Sequence, residues 1–86
     1  MGKVLFSSEA LLHFMYWANS NRKTLNKVHD LIKDIERNGL MNGIGKPERL
    51  KHEDGWSRRI DDTNRLIYNI KDEKLHIISC KGHYED

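Results

Sequence analysis

Near the end of this sequence an imidazole and a phenol stand side by side, in Cys80-Lys81-Gly82-His83-Tyr84. Imidazole is the side chain best suited to give or take a proton near neutral pH, and a phenol can stack on a base or hydrogen-bond a phosphate. A lone glutamate lies in the basic run Gly45-Lys46-Pro47-Glu48-Arg49-Leu50-Lys51, and Arg65 opens a predicted strand. Together they supply a base, an acid and a cation, which is what RNA cleavage without a metal requires. The ribose 2′-hydroxyl must lose a proton to attack the adjacent phosphate, the leaving 5′-oxygen must gain one, and charge growing on the phosphoryl oxygens must be balanced.

Each residue also has a plainer reading. Glu48 is the candidate base, kept ionised by Lys46, Arg49 and Lys51; alternatively it offsets positive charge on a loop. Arg65 is the candidate phosphate clamp through two parallel hydrogen bonds; alternatively it pairs with Asp61 or Asp62. His83 is the candidate acid, and Tyr84 would stack on a base or orient the phosphate; the alternatives are a surface histidine and a tyrosine packed on the sheet rim. Lys46, Arg49, Lys51, Arg58, Arg59 and Arg65 fall within twenty positions, with His52 among them. Such a cluster tracks a phosphate backbone or forms a solvated basic face. If Asp61-Asp62-Thr63-Asn64 forms a four-residue loop, Ile60 pairs with Arg65, Arg58 shares their face and Arg59 points the other way.

Several other signals carry little. Cys80-Lys81-Gly82-His83 has the spacing of half a zinc site, but no second ligand pair accompanies it, and His13, His29, His52 and His76 are scattered, so neither metal nor cofactor is expected. Gly39 to Lys46 fails as a phosphate-binding loop, because five residues separate Gly39 from Gly45 and Pro47 follows the lysine. Phe14, Met15 and Trp17 are assigned to the core, and Trp56 to the core or to a stacking platform.

These residues must be positioned by a small fold. The 86 residues imply one domain, 1–86, with a thin core that a partner or a second copy would help to cover. Fifteen basic against thirteen acidic residues give a net charge of +2, and the single cysteine excludes an internal disulfide. No segment reads as a signal peptide or membrane span, so a soluble intracellular protein in a reducing cytosol is expected.

Lys3 to Ser7 predicts a short strand, and Ser7 or Ser8 a helix cap with Glu9 in the first turn. Leu11, Leu12, Phe14, Met15, Trp17 and Ala18 give that helix a broad apolar face. After a break at Asn19-Ser20-Asn21, Leu25, Val28, Leu31, Ile32 and Ile35 recur at helical spacing as far as Gly39. Residues 40–55 are irregular. Trp56 to Ile60, Arg65 to Ile70 and Leu75 to Cys80 predict strands joined by hairpin-sized loops. The expected fold is α+β: an N-terminal strand, then a two-helix hairpin packed on one face of an antiparallel sheet meander. Its other face is left open, and a concave open face could hold RNA.

The stretches Gly45-Lys46-Pro47-Glu48-Arg49-Leu50-Lys51, Trp56-Ser57-Arg58-Arg59-Ile60, Asn64-Arg65-Leu66-Ile67-Tyr68 and Cys80-Lys81-Gly82-His83-Tyr84 resemble the YoeB-type toxins of bacterial toxin–antitoxin systems, within the RelE/ParE superfamily. The likeness runs from about Val4 to Tyr84, with the motifs in order. It implies a toxin that enters the ribosomal A site and cuts messenger RNA, restrained by an antitoxin of YefM type and able to form a homodimer. Glu48, Arg65, His83 and Tyr84 fall on the family's catalytic positions, and Lys51, Arg58 and Arg59 on basic positions that face RNA and ribosome. Glu85 and Asp86 extend past the tyrosine that commonly closes the chain in that family. Two other classes compete: a non-catalytic ParE-like inhibitor of DNA gyrase, and an RNA- or protein-binding module. The joint presence of Glu48, Arg65, His83 and Tyr84 speaks against the first; on the second, Glu48→Ala and His83→Ala would leave toxicity largely intact.

Overall fold

The computed structural model describes residues 3–83, so Tyr84 lies outside the described part. The elements run β1 (Val4–Phe6), α1 (Ser8–Ser20), α2 (Arg22–Asn38), β2 (Glu48–Arg49), β3 (Trp56–Arg59), β4 (Arg65–Lys71) and β5 (Lys74–Ser79). Helix α1 starts where the Ser7 side chain accepts a hydrogen bond from Ala10 N–H. The break between the helices is one residue, not three. Asn19 and Ser20 bond back to the Met15 and Tyr16 carbonyls and stay helical, while Asn21 alone is extended. Its backbone N–H caps Trp17 O and its side chain accepts from Thr24 N–H, so one residue closes α1 and opens α2.

The strands form one five-stranded sheet in the order β1-β5-β4-β3-β2. The meander β2–β5 is antiparallel, and β1 joins its β5 edge in parallel, Val4 opposite Leu75 and Phe6 opposite Ile77. The β4–β5 turn is tighter than the sequence suggested. Lys71 and Lys74 pair directly, leaving Asp72 and Glu73 as a two-residue turn with positive φ at both.

Both helices pack on one sheet face. Ala10, Trp17, Val28, Leu31, Ile32 and Ile35 meet Ile60, Leu66, Tyr68, Leu75, Ile77 and Cys80 there, with Trp56 and Phe14 packed at the margin. Met15 does not join them. It is exposed along with Leu11, Leu12 and Tyr16, because the inner stripe of α1 narrows to Ala10 and Trp17.

The register of β3 departs from expectation by one residue, with large effect. Arg59, not Ile60, pairs with Arg65, and Arg58 pairs with Leu66. The Asp61 Oδ1 accepts from the Thr63 and Asn64 amides, a local turn that lengthens the loop to residues 60–64. Since neighbouring strand residues point to opposite faces, Arg58 turns toward the helices and Arg59 takes the open face. Arg58, expected on the RNA-facing surface, is fully buried.

All five of its N–H donors are used. Nε donates to Tyr68 Oη (2.9 Å), Nη1 to Asp34 Oδ2 and Ile44 O (3.0 Å), and Nη2 to Gly39 O (2.8 Å) and Asn42 O (2.7 Å). Tyr68 Oη in turn donates to Leu40 O at 2.9 Å. One guanidinium therefore fixes the loop from Gly39 to Ile44 against α2 and β4. Gly43 passes so close that a Cβ there would stand 1.8 Å from Asp34 Oδ2.

The hydrogen bond from Arg58, opposed by partial burial and reinforced by Ile44 N–H and Asn38, holds the Asp34 carboxyl below the usual carboxylate range. Its stabilisation is therefore complete above about pH 4 and is lost as pH falls through the depressed folded-state value. Asp34→Asn should flatten this acid limb in urea melts taken at successive pH values. Arg58→Ala leaves a carboxylate and several carbonyls without their donor. We expect a loss of about 3 kcal/mol at neutral pH, read from the shift of the urea midpoint.

Candidate active site

The loop tied down by Arg58 leads through Pro47 into β2, a two-residue edge strand carrying Glu48. Glu48 pairs with Ser57 on β3, and Ser57 with Ile67 on β4. Period-two alternation sets Glu48, Ser57, Arg59 and Arg65 on the face away from the helices. The Ser57 hydroxyl is buried and accepts from Arg65 Nε at 3.3 Å and Nη2 at 3.1 Å, which aims the guanidinium toward Glu48. Arg65 Nη2 lies 3.8 Å from Glu48 Oε2. The Glu48 side chain is 69% exposed and that of Arg65 21%, so the pair is solvated and weak. A phosphate entering the cleft can take the guanidinium from the carboxylate.

The C-terminal segment reaches the same place by a different route. Just past β5, Cys80 N–H donates to His13 Nδ1 at 3.2 Å, and its carbonyl accepts from Trp17 Nε1 at 2.8 Å. Two residues on, Gly82 N–H donates to Asn64 Oδ1 at 2.8 Å and Gly82 O accepts from Arg65 N–H at 3.2 Å. Gly82 holds φ +86°, a conformation that favours glycine. His83 follows directly. The resulting open cleft of about 280 Å³ is lined by Glu48, Arg49, Leu50, Lys51, Ser57, Arg65 and His83. The neighbouring thiol takes no part: burial pushes Cys80 up to about 12, so it stays protonated and enclosed.

Of the residues singled out by sequence, Glu48, Arg49, Lys51, Arg65 and His83 are brought together. Lys46 is exposed, ahead of β2 and outside the cleft lining, with φ +50°. Arg59 lies on the cleft face but pairs with Asp62. Arg58 is withdrawn from the site altogether, and its part is to shape the loop that delivers Glu48. Two residues escaped the sequence reading. Ser57 could have been found by noting that it shares strand parity with Arg59, on the face opposite Arg58. Asn64 gave no signal beyond standing next to Arg65. Among the described residues no group of three or more His, Cys, Asp or Glu side chains is arranged to hold a metal ion.

A carboxylate, a guanidinium and an imidazole line one open cleft, and groups of these types can serve as base, anion clamp and acid.

Comparison with known proteins bears on the same stretch of chain. Residues 6–84 match the family model described as a YoeB-like toxin of bacterial type II toxin–antitoxin systems. Toxin YoeB of Streptomyces coelicolor is 42% identical over 84 residues, covering 95% of this chain and 99% of that protein. Among solved structures, the YoeB chain in the heterotetrameric YoeB–YefM complex of Staphylococcus aureus superposes with a TM-score of 0.88 at 40% identity, covering 95% of this chain and 97% of that one. The YoeB dimer of the same organism gives 0.89 at 40% identity, with the same coverage.

The tie between Asn64 and Gly82 is open to direct measurement. In Asn64→Ala the Gly82 amide loses its acceptor, and its hydrogen exchange should quicken roughly five- to tenfold while amides of the core strands keep their protection.

Proposed function

The chain belongs to the family of YoeB-like toxins of bacterial type II toxin–antitoxin systems, and on that premise we propose that it is a ribosome-dependent endoribonuclease that cuts messenger RNA in the A site. The observation that supports this most is the shared cleft of Glu48, Arg65 and His83. Glu48 removes the 2′-hydroxyl proton. The 2′-oxygen attacks the adjacent phosphorus, the bond to the 5′-oxygen breaks, and His83 protonates that oxygen as it leaves. The upstream fragment then ends in a 2′,3′-cyclic phosphate and the downstream fragment in a 5′-hydroxyl. Arg65, aimed by Ser57, balances charge on the phosphoryl oxygens, and Tyr84 orients the phosphate. Arg49 and Lys51 in the cleft, with Lys46 and Arg59 beside it, hold the RNA backbone and ribosome. The step needs no metal or organic cofactor.

The partners follow the same reading. A YefM-type antitoxin lays a partly disordered acidic segment over the basic cleft and folds as it docks. The toxin forms a homodimer when free, as the Staphylococcus aureus relative does, and works in the bacterial cytoplasm. No helix among the described residues is long and apolar enough to cross a membrane.

The test is message cleavage on programmed ribosomes with purified protein. Glu48→Gln and His83→Gln should each lower the rate by on the order of a hundred- to ten-thousandfold. A 2′-deoxy substitution at the cleaved nucleotide should stop the reaction. Full activity in either variant, or cleavage of the deoxy message, would remove the acid–base scheme, and gyrase inhibition without message cleavage would favour the non-catalytic class.

A further inference from the structure

His83 acts from a strand exit, and its position depends on what holds that exit. Cys80 is gripped on both sides of its peptide unit by α1: His13 Nδ1 takes its N–H and Trp17 Nε1 gives to its carbonyl. The two helix residues are four apart, on adjacent turns of one face. The two grips differ in kind. Indole N–H is a donor at every pH, whereas an imidazole nitrogen accepts only while it is unprotonated. The amide fixes the His13 tautomer, since Nδ1 must carry the lone pair and the proton sits on Nε2. Ser79 Oγ stands 3.5 Å from the same nitrogen.

We propose that His13 is a positioning residue for the cleavage reaction: its Nδ1 holds the Cys80 amide where β5 hands over to His83, and protonation of its ring releases that hold. The inference rests on the reading of His83 as the acid. Protonated His13 presents N–H toward the Cys80 N–H, turning an attraction into a repulsion three residues from the acid. Imidazole is the side chain best able to change charge near neutral pH, which makes this hold conditional where the indole's is permanent. Glu9 lies one turn back on α1, and Tyr16 follows with its ring under the Lys81 ammonium at 4.9 Å. From the strand side come Ser79, the protonated Cys80 thiol and Lys81. Strand β1 brings only Val4, Leu5 and Phe6, and α2 turns Val28, Leu31, Ile32 and Ile35 inward.

The consequence runs against simple acid catalysis. An acid catalyst on its own favours faster cleavage as pH falls, until the base is protonated. Release of the exit by His13 cuts that rise short. Asparagine separates the two effects, because its Oδ1 occupies the place of Nδ1, accepts the same amide and does not titrate.

The experiment has two arms on the full-length protein. In NMR titrations the Cys80 amide resonance should move with the midpoint of the His13 ring in wild type and stay still in His13→Asn. In cleavage on programmed ribosomes, kcat of wild type should drop roughly three- to tenfold below that of His13→Asn through the same pH range, and match it at higher pH. His13→Leu should be lowered by the same factor at every pH. The idea is overturned by a Cys80 amide indifferent to the His13 titration, by superposed pH profiles for wild type and His13→Asn, or by a fully active His13→Leu. Should His13→Leu fail to fold, the comparison of wild type with asparagine decides alone. A wild type that cuts no message at any pH removes the nuclease reading and this inference with it, whereas cleavage with superposed profiles removes the inference alone.

Discussion

One buried guanidinium sets the terms for the rest of this molecule. Arg58 spends its five donors on a tyrosine, an aspartate and three main-chain carbonyls. Those carbonyls belong to a loop with no ladder of its own, and turned inward without a donor they would each carry a desolvation cost. Lysine, with three donors on a single nitrogen, cannot meet five acceptors arranged in a plane. A buried ion pair is a poor source of net stability compared with apolar packing. What it supplies here is shape: the Gly39–Ile44 loop has one conformation, and β2 starts where that conformation leaves it.

Much of the fold could be read from residue order. The helical stripe of α2, a helix cap at Ser7 or Ser8, a second cap within residues 19–21, and three strands bounded by polar turns were legible, and the structure settles the caps on Ser7 and Asn21. The misplacement of Arg58 has a definite cause. Nothing local distinguishes Arg58 from Arg59. Which of them enters the core is decided by strand register, and register depends on an aspartate-centred turn at residues 61–64. The exposed side of α1 misled for another reason. Its Leu11, Leu12 and Met15 look like core residues by type, but α2 and the sheet fully enclose only Ala10 and Trp17, with Phe14 at the margin.

The charged residues of the candidate cleft could be picked out by type, and their supports could not. Glu48, Arg65 and His83 stand out because carboxylate, guanidinium and imidazole have evident uses with phosphate. Ser57 and Asn64 do not stand out, although one aims Arg65 and the other ties Gly82. Such supporting residues are chosen by geometry, and geometry is not written in residue type. The two sheet faces divide the labour. The helix side takes most of the apolar burial and the Arg58 knot, and the opposite side collects polar groups on β2, β3 and β4 around a buried Ile67.

The parallel pairing of β1 with β5 has a consequence in time. Ser7 bonds across 71 residues to Ile78, and β1 finds its ladder only on the last strand to be synthesised. Until that strand emerges from the exit tunnel the first one has nothing to pair with, and the histidine beyond it does not yet exist as a folded group. The cleft that His83 lines is therefore completed late, and an interrupted translation product that lacks β5 cannot assemble it.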